Sequence, residues 1–140
     1  MSGERILIVD DEPLVRSCYA RVLKRAGYEV AVHHSGFGLT VTLSEFAPDI
    51  LILDINMPGL TGDAAIRAGA GLFRTVVLPP LIVISGIGSD EMNRRAASIG
   101  AVAQLNKPMD NQDLIDCVEE VLNRHVRSLD QDAKIGGKVL

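Results

Sequence analysis

Apolar runs of four residues, each closed by charged or turn-forming residues, punctuate this chain: Ile6-Leu7-Ile8-Val9 before Asp10-Asp11, Ile50-Leu51-Ile52-Leu53 before Asp54, and Leu81-Ile82-Val83-Ile84 before Ser85-Gly86. A parallel strand covered on both faces reads as such an unbroken run, whereas a strand with one wet face alternates. Tyr28-Glu29-Val30-Ala31-Val32 alternates and predicts a short second strand. Val102 to Leu105 predicts a fifth, the poorest by pattern, because it holds Gln104 and runs into Asn106.

Helical periodicity occupies the intervals. Asp11-Glu12-Pro13 opens a first helix, with an acidic residue at the cap and proline near the first helical position. Leu14, Val15, Cys18, Val22 and Leu23 recur at helical spacing, and Gly27 closes the helix. Ser35 is expected to cap a second helix through Phe46, apolar at Leu39, Val41, Leu43 and Phe46, and Pro48-Asp49 breaks it. A loop rich in Pro and Gly, from Ile55 to Gly62, leads to a third helix from Asp63, weakened by Gly69 and Gly71. Ser89-Asp90 caps a short fourth helix ending at Gly100. The last helix starts near Asp110, with Asp113 as an imperfect capping box and an apolar stripe at Leu114, Ile115, Val118, Val121 and Leu122.

Five strands alternating with five helices predict an α/β domain, a doubly wound parallel sheet with right-handed crossovers. Residues 4–124 carry this pattern. Residues 125–140 lose periodicity, contain Gly136-Gly137 and read as a flexible C-terminal tail or linker, too short for a second domain.

Composition narrows the class. A chain of 140 residues, 47% hydrophobic and 23% charged, suffices for one globular core. A net charge of −4 argues against a nucleic-acid surface, which wants a basic patch. No apolar run approaches the roughly 20 residues of a membrane span, and the start lacks a secretory profile, so a cytoplasmic location is expected. Cys18 and Cys117 are too few and too far apart for a disulfide framework or zinc site. They read as packed, reduced thiols, although helices near the two chain ends could bring them onto one sheet face. His33 and His34 are adjacent, so a strand would point them to opposite sides, as the exposed end of strand two rather than a metal site.

In open parallel sheets, ligands bind beyond the carboxyl ends of the strands. If these strands are neighbours, Asp10, Asp11, Asp54, Ser85 and Lys107 converge on one edge. Two carboxylates about 4 Å apart repel by roughly 4 kcal/mol at an effective dielectric near 20. Such a cluster is hard to explain by stability and points to chemistry. Taken singly, Asp11-Glu12-Pro13 suits a helix cap, Ser85 a turn and Lys107 a solvated edge. Gly86-Ile87-Gly88 is too short for a dinucleotide fingerprint.

Val9-Asp10-Asp11-Glu12-Pro13, Asp54-Ile55-Asn56-Met57-Pro58-Gly59-Leu60-Thr61-Gly62, Ile84-Ser85-Gly86 and Lys107-Pro108 occur in this order, each at the end of an apolar strand. In these pieces the chain resembles the receiver domain of bacterial two-component response regulators, over about residues 4–124. The resemblance implies a flavodoxin-like (βα)5 fold with strand order 2-1-3-4-5. It implies that Asp54 accepts a phosphoryl group from a phosphohistidine of a histidine kinase or phosphotransfer protein, or from a small acyl phosphate. Asp10, Asp11, Asp54 and the backbone carbonyl of Asn56 would hold Mg²⁺ or Mn²⁺, as hard oxygen ligands suit such an ion. Lys107, the Ser85 hydroxyl and the amide of Gly86 would meet the phosphoryl oxygens. The Lys107–Pro108 bond would be cis, and the output would run through the face of the fourth helix, fifth strand and fifth helix to a protein target.

One position departs from the family. Receiver domains commonly carry an aromatic residue three places before the Pro-linked lysine, coupled to the Ser or Thr after strand four. Here Gln104 stands there, so the expected switch residues are Ser85 and Gln104, with no aromatic ring. Two other functions compete with this one: an interaction module that signals without phosphorylation, and a phosphohydrolase acting on an external ester. The latter wants a general acid two residues beyond the nucleophile, where this chain has Asn56, so turnover of an external substrate is not expected.

Overall fold

In the computed structural model, which describes residues 3–55, 66, 78–86 and 90–124, the three apolar runs become the three central strands of one sheet. The elements are β1 (Arg5–Val9), α1 (Pro13–Arg25), β2 (Glu29–His33), α2 (Leu39–Phe46), β3 (Ile50–Asp54), β4 (Leu81–Ser85), α3 (Asp90–Ser98) and β5 (Ala103–Asn106), followed by α4 over 111–124. The predicted fourth and fifth helices are therefore α3 and α4. The predicted third helix and its loop lie outside the described residues, except Ile55 and Ile66, the latter helical, and so does the predicted tail. All four ladders are parallel and the order is β2-β1-β3-β4-β5, the doubly wound order expected.

Strand alternation divides the core into two layers. Leu7, Val9, Leu51, Leu53, Leu81 and Val83 pack with Leu39 and Leu43 of α2 and Ala96 of α3. Ile6, Ile8, Ile50, Ile52, Ile82 and Ile84 pack with Ala20 and Leu23 of α1 and with Leu114, Val118 and Val121 of α4. Every residue of β3 and β4 is buried, which is why these strands read as unbroken apolar runs.

Helix ends follow local chemistry. Gly27, with φ 102°, ends α1, and the Tyr28 N–H donates to the Leu23 carbonyl at 3.1 Å, closing a Schellman motif. Asp110 and Asp113 do form a reciprocal cap: each backbone N–H donates to the other's carboxylate, at 3.4 and 2.8 Å. At the end of α2, Ala47 takes φ 49°, a left-handed conformation that costs an alanine roughly 1 kcal/mol. Replacing it with glycine is expected to raise stability by about 0.5 kcal/mol, the relief less glycine's extra chain entropy. Urea unfolding midpoints check this, and a lower midpoint for Ala47→Gly would contradict it.

Several sequence expectations shift. Strand two is displaced by one residue, to Glu29–His33. Ser35 does not cap α2: its hydroxyl accepts the Phe37 N–H at 3.1 Å, and the helix starts after Gly38. Val41 is 60% exposed, because it lies two residues from Leu39 and so falls on another helical face. On α1 the buried residues are Ala20 and Leu23, while Leu14 and Cys18 face solvent. Cys18 is therefore an exposed thiol and not a packed one; Cys117 is half-buried, and both are free. His33 and His34 do not diverge, since β2 ends at His33 and their rings stack at 5.4 Å. His33 is tied down by its own contacts, its Nε2 lying 2.6 Å from the Phe37 carbonyl.

Candidate functional site

The same alternation that builds the core aims the site. Ile6 and Ile8, Ile50 and Ile52, and Ala103 and Leu105 all face the α1–α4 layer, and the next position in each series is Asp10, Asp54 and Lys107. Three charged side chains thus leave the carboxyl edge in the same sense. The ladder also continues past the strands: Asp10 N–H donates to the His33 carbonyl at 3.1 Å and Lys107 N–H to the Ser85 carbonyl at 2.7 Å. Asp54 lies within β3 and pairs with Ile84, so backbone pairing holds all three charged residues in register.

The Lys107 ammonium lies 3.0 Å from Asp54 Oδ2 and 3.2 Å from Asp10 Oδ2, with Glu12 Oε1 at 3.9 Å. The Lys107–Pro108 bond is cis. Asp10 and Asp54 are 1% and 3% exposed, so the ammonium compensates two carboxylates withdrawn from water. Burial works against the charged ammonium, but Asp54 and Asp10 outweigh it and hold the Lys107 pKa above its ordinary value. Asp10 Oδ1 accepts the Glu12 N–H at 2.9 Å, and Arg16 donates to the Asp10 carbonyl at 2.8 Å, which fixes the turn into α1.

Carboxylate oxygens of Asp10, Asp11 and Glu12 lie within 4.8 Å of one another, a donor set of hard oxygens suited to a divalent cation. Glu12, which belongs to the helix opening and to the Val9–Pro13 piece but was not expected as a ligand, is the addition here; Asn56 lies outside the described residues. Gly86 is half-buried, and a Cβ built on it would meet nothing within 4 Å, so this position leaves open space. On α3, Arg95 donates to the Ile55 carbonyl, tying that helix to the residue after Asp54.

Ser85 belongs to the opposite set of side chains. With Leu81 and Val83 it faces the α2–α3 layer, and the register Val83↔Gln104, Ser85↔Asn106 puts Gln104 and Asn106 on that same side. The Gln104 amide donates to the fully buried Ser85 hydroxyl at 3.3 Å, and the hydroxyl donates to Asn106 Oδ1 at 3.2 Å. Asn106 was missed as a site residue. Two polar residues spaced by two in an otherwise apolar strand were its signal, because that spacing puts both on one face.

Burial raises the Asp10 pKa; the Glu12 N–H pulls it down, Asp54 pushes it up, and Lys107 pulls it down again. The folded state therefore keeps this proton to higher pH than the unfolded chain does. In metal-free protein the Asp10 contribution to stability must fall as pH rises from about 3.8 through the raised value. Asp10→Asn lacks this loss while keeping an oxygen for the Glu12 N–H. The stability of the variant relative to wild type is expected to grow with pH across that window and level off above it. Urea midpoints in EDTA at a series of pH values measure the difference, and a difference that shrinks with pH would refute the assignment.

The family model described as Response regulator receiver domain matches residues 6–119. The chain is 35% identical over 123 residues to the transcriptional regulatory protein PdtaR of Mycobacterium tuberculosis, with 86% of this chain and 57% of that protein covered. It is 25% identical to sporulation initiation phosphotransferase F of Bacillus subtilis, with 87% of this chain and 96% of that protein covered. A solved receiver domain from Bermanella marisrubri superposes with a TM-score of 0.71 at 35% identity, covering 86% of this chain and 98% of the other. Thus the chain spans about half the length of PdtaR and nearly all of the sporulation protein.

Proposed function

The chain belongs to the response regulator receiver domain family, and from that premise we propose that it is the phospho-accepting module of a two-component phosphorelay, with Asp54 as acceptor. The observation that carries this reading is the Lys107 ammonium bridging Asp54 and Asp10 at 3.0 and 3.2 Å on the carboxyl edge of the sheet. An Asp54 oxygen attacks phosphorus while the bond to a histidine nitrogen breaks; the electron pair leaves with the imidazole, which takes a proton from water. Phosphoryl transfer asks chiefly for alignment and charge neutralisation. Lys107 supplies a fixed cation beside the acceptor, and the Ser85 hydroxyl and Gly86 amide offer donors at the end of the next strand.

Asp10, Asp11 and Asp54, with Glu12 nearby and the carbonyl of Asn56, would hold Mg²⁺ or Mn²⁺, which supplies neutralisation of the transferring charge when bound. The donor is a histidine kinase or phosphotransfer protein. The product is an acyl phosphate on Asp54, which water erases, so the module times a signal and does not turn over an external substrate. A protein target reads the change at the face of α3, β5 and α4, with Ser85 and Gln104 as the switch residues.

The test is incubation with acetyl phosphate and Mg²⁺ followed by intact mass measurement. One labile phosphoryl adduct is expected. Its absence would favour the passive interaction module, and turnover of unrelated phosphoesters would favour an enzyme.

A further inference from the structure

We propose that Asn106 is a positioning residue that competes with a phosphoryl group on Asp54 for the single proton of the Ser85 hydroxyl; the inference rests on the phosphorylation reading above. A serine hydroxyl has one donor and two acceptor sites. In this structure its donor goes to Asn106 Oδ1 at 3.2 Å and one acceptor site is filled by the Gln104 amide at 3.3 Å. Ser85 is 0% exposed, so a hydroxyl proton without an acceptor there would be costly. Asn106 is therefore what satisfies the buried hydroxyl when no phosphoryl group is present.

The two neighbours act in opposite senses. To donate to a phosphoryl oxygen, the hydroxyl must withdraw its proton from Asn106, so Asn106 resists the phosphorylated state. Donation from Gln104 uses a lone pair and survives that rotation, so Gln104 supports it by keeping the proton outward. Asn106 is also positioned to report the change. It stands directly opposite Ser85 in the ladder, immediately precedes Lys107, and is solvent-exposed at the β5 edge. Loss of its hydrogen bond frees a polar side chain on that edge, so a polar relay can carry the signal where the family's aromatic residue is missing.

Beryllofluoride with Mg²⁺ serves as the stable phosphoryl mimic, and its Kd is read by calorimetry. Asn106→Ala is expected to bind the mimic about threefold more tightly, the effect of removing one competing hydrogen bond. Gln104→Leu is expected to bind it about threefold more weakly. On a Ser85→Ala background both changes should vanish, since the hydroxyl they act through is gone. Unchanged or weaker binding by Asn106→Ala, or a gain that persists without the Ser85 hydroxyl, overturns the competition. Wild type that does not bind the mimic overturns the phosphorylation reading itself, and the competition with it. Asn106 is exposed, so its truncation removes no core side chain; the thermal midpoint of the mimic-free variant should fall because the Ser85 hydroxyl loses its acceptor, and a single cooperative transition checks that the fold is kept.

Discussion

Asp54→Asn is expected to abolish the phosphoryl adduct that wild type forms with acetyl phosphate and Mg²⁺. The substitution keeps the shape of a side chain that is 3% exposed, so the fold should survive. It removes the anionic oxygen, and a neutral amide does not attack phosphorus at a useful rate. The ammonium of Lys107 would still find Asp10 at 3.2 Å, which keeps the edge from opening. Intact mass after a fixed incubation reads the result: one adduct in wild type, removed by hydroxylamine as an acyl phosphate should be, and none in the variant. An adduct that persists undiminished in Asp54→Asn would move the acceptor elsewhere, with Asp10 and Asp11 next in reach, and would remove the reason for assigning Lys107 its role.

Asp54 and Lys107 were legible as neighbours because both lie at the ends of strands whose pattern is strong or whose turn chemistry is distinctive. β1, β3 and β4 are covered on both faces, and unbroken apolar runs ending in Asp10, Asp54 and Ser85 follow directly from that. Elements at the edges were harder to read. Among the described residues β2 pairs only with β1, and Val32 is 48% exposed, so the boundary slipped by one residue where burial no longer constrains it. α2 began late because Ser35 spent its hydroxyl on a local turn, a competition that composition does not reveal. β5 looked poor because Gln104 and Asn106 break its apolar pattern. The structure gives the reason: these are the residues that face the Ser85 hydroxyl, so the local violation of strand chemistry coincides with the site.

Position in the alternation also explains how one site touches both sides of the sheet. Asp10, Asp54 and Lys107 continue the series that packs under α1 and α4, while Ser85, Gln104 and Asn106 continue the series under α2 and α3. A phosphoryl group on Asp54 would be gripped by Lys107 from the first series and Ser85 from the second. Arg95 reaches the Ile55 carbonyl from α3, a contact between that helix and the residue after Asp54 that does not involve β5.

Lys107→Ala is expected to lose phosphorylation and, in the same protein, to gain affinity for Mg²⁺. The ammonium is 3.0 Å from Asp54 and 3.2 Å from Asp10, so it occupies the carboxylates a divalent cation would use. Removing it leaves two buried acids facing each other without compensation. Breaking a buried pair costs 3–5 kcal/mol; because the lysine side chain is 21% exposed, water moderates this to about 2 kcal/mol in metal-free buffer. A cation then has more repulsion to relieve and one positive charge less to oppose it, and about a tenfold lower Kd for Mg²⁺ is expected after solvent screening. Saturating Mg²⁺ should correspondingly raise the unfolding midpoint of the variant more than that of wild type. Phosphorylation is still expected to fail, because a cation held by the acids would not replace the fixed charge that Lys107 places 3.0 Å from the Asp54 oxygen. Calorimetric Mg²⁺ titration, with and without the substitution, decides the matter. Weaker Mg²⁺ binding in Lys107→Ala would mean that the lysine organises the acids for the metal and does not compete with it.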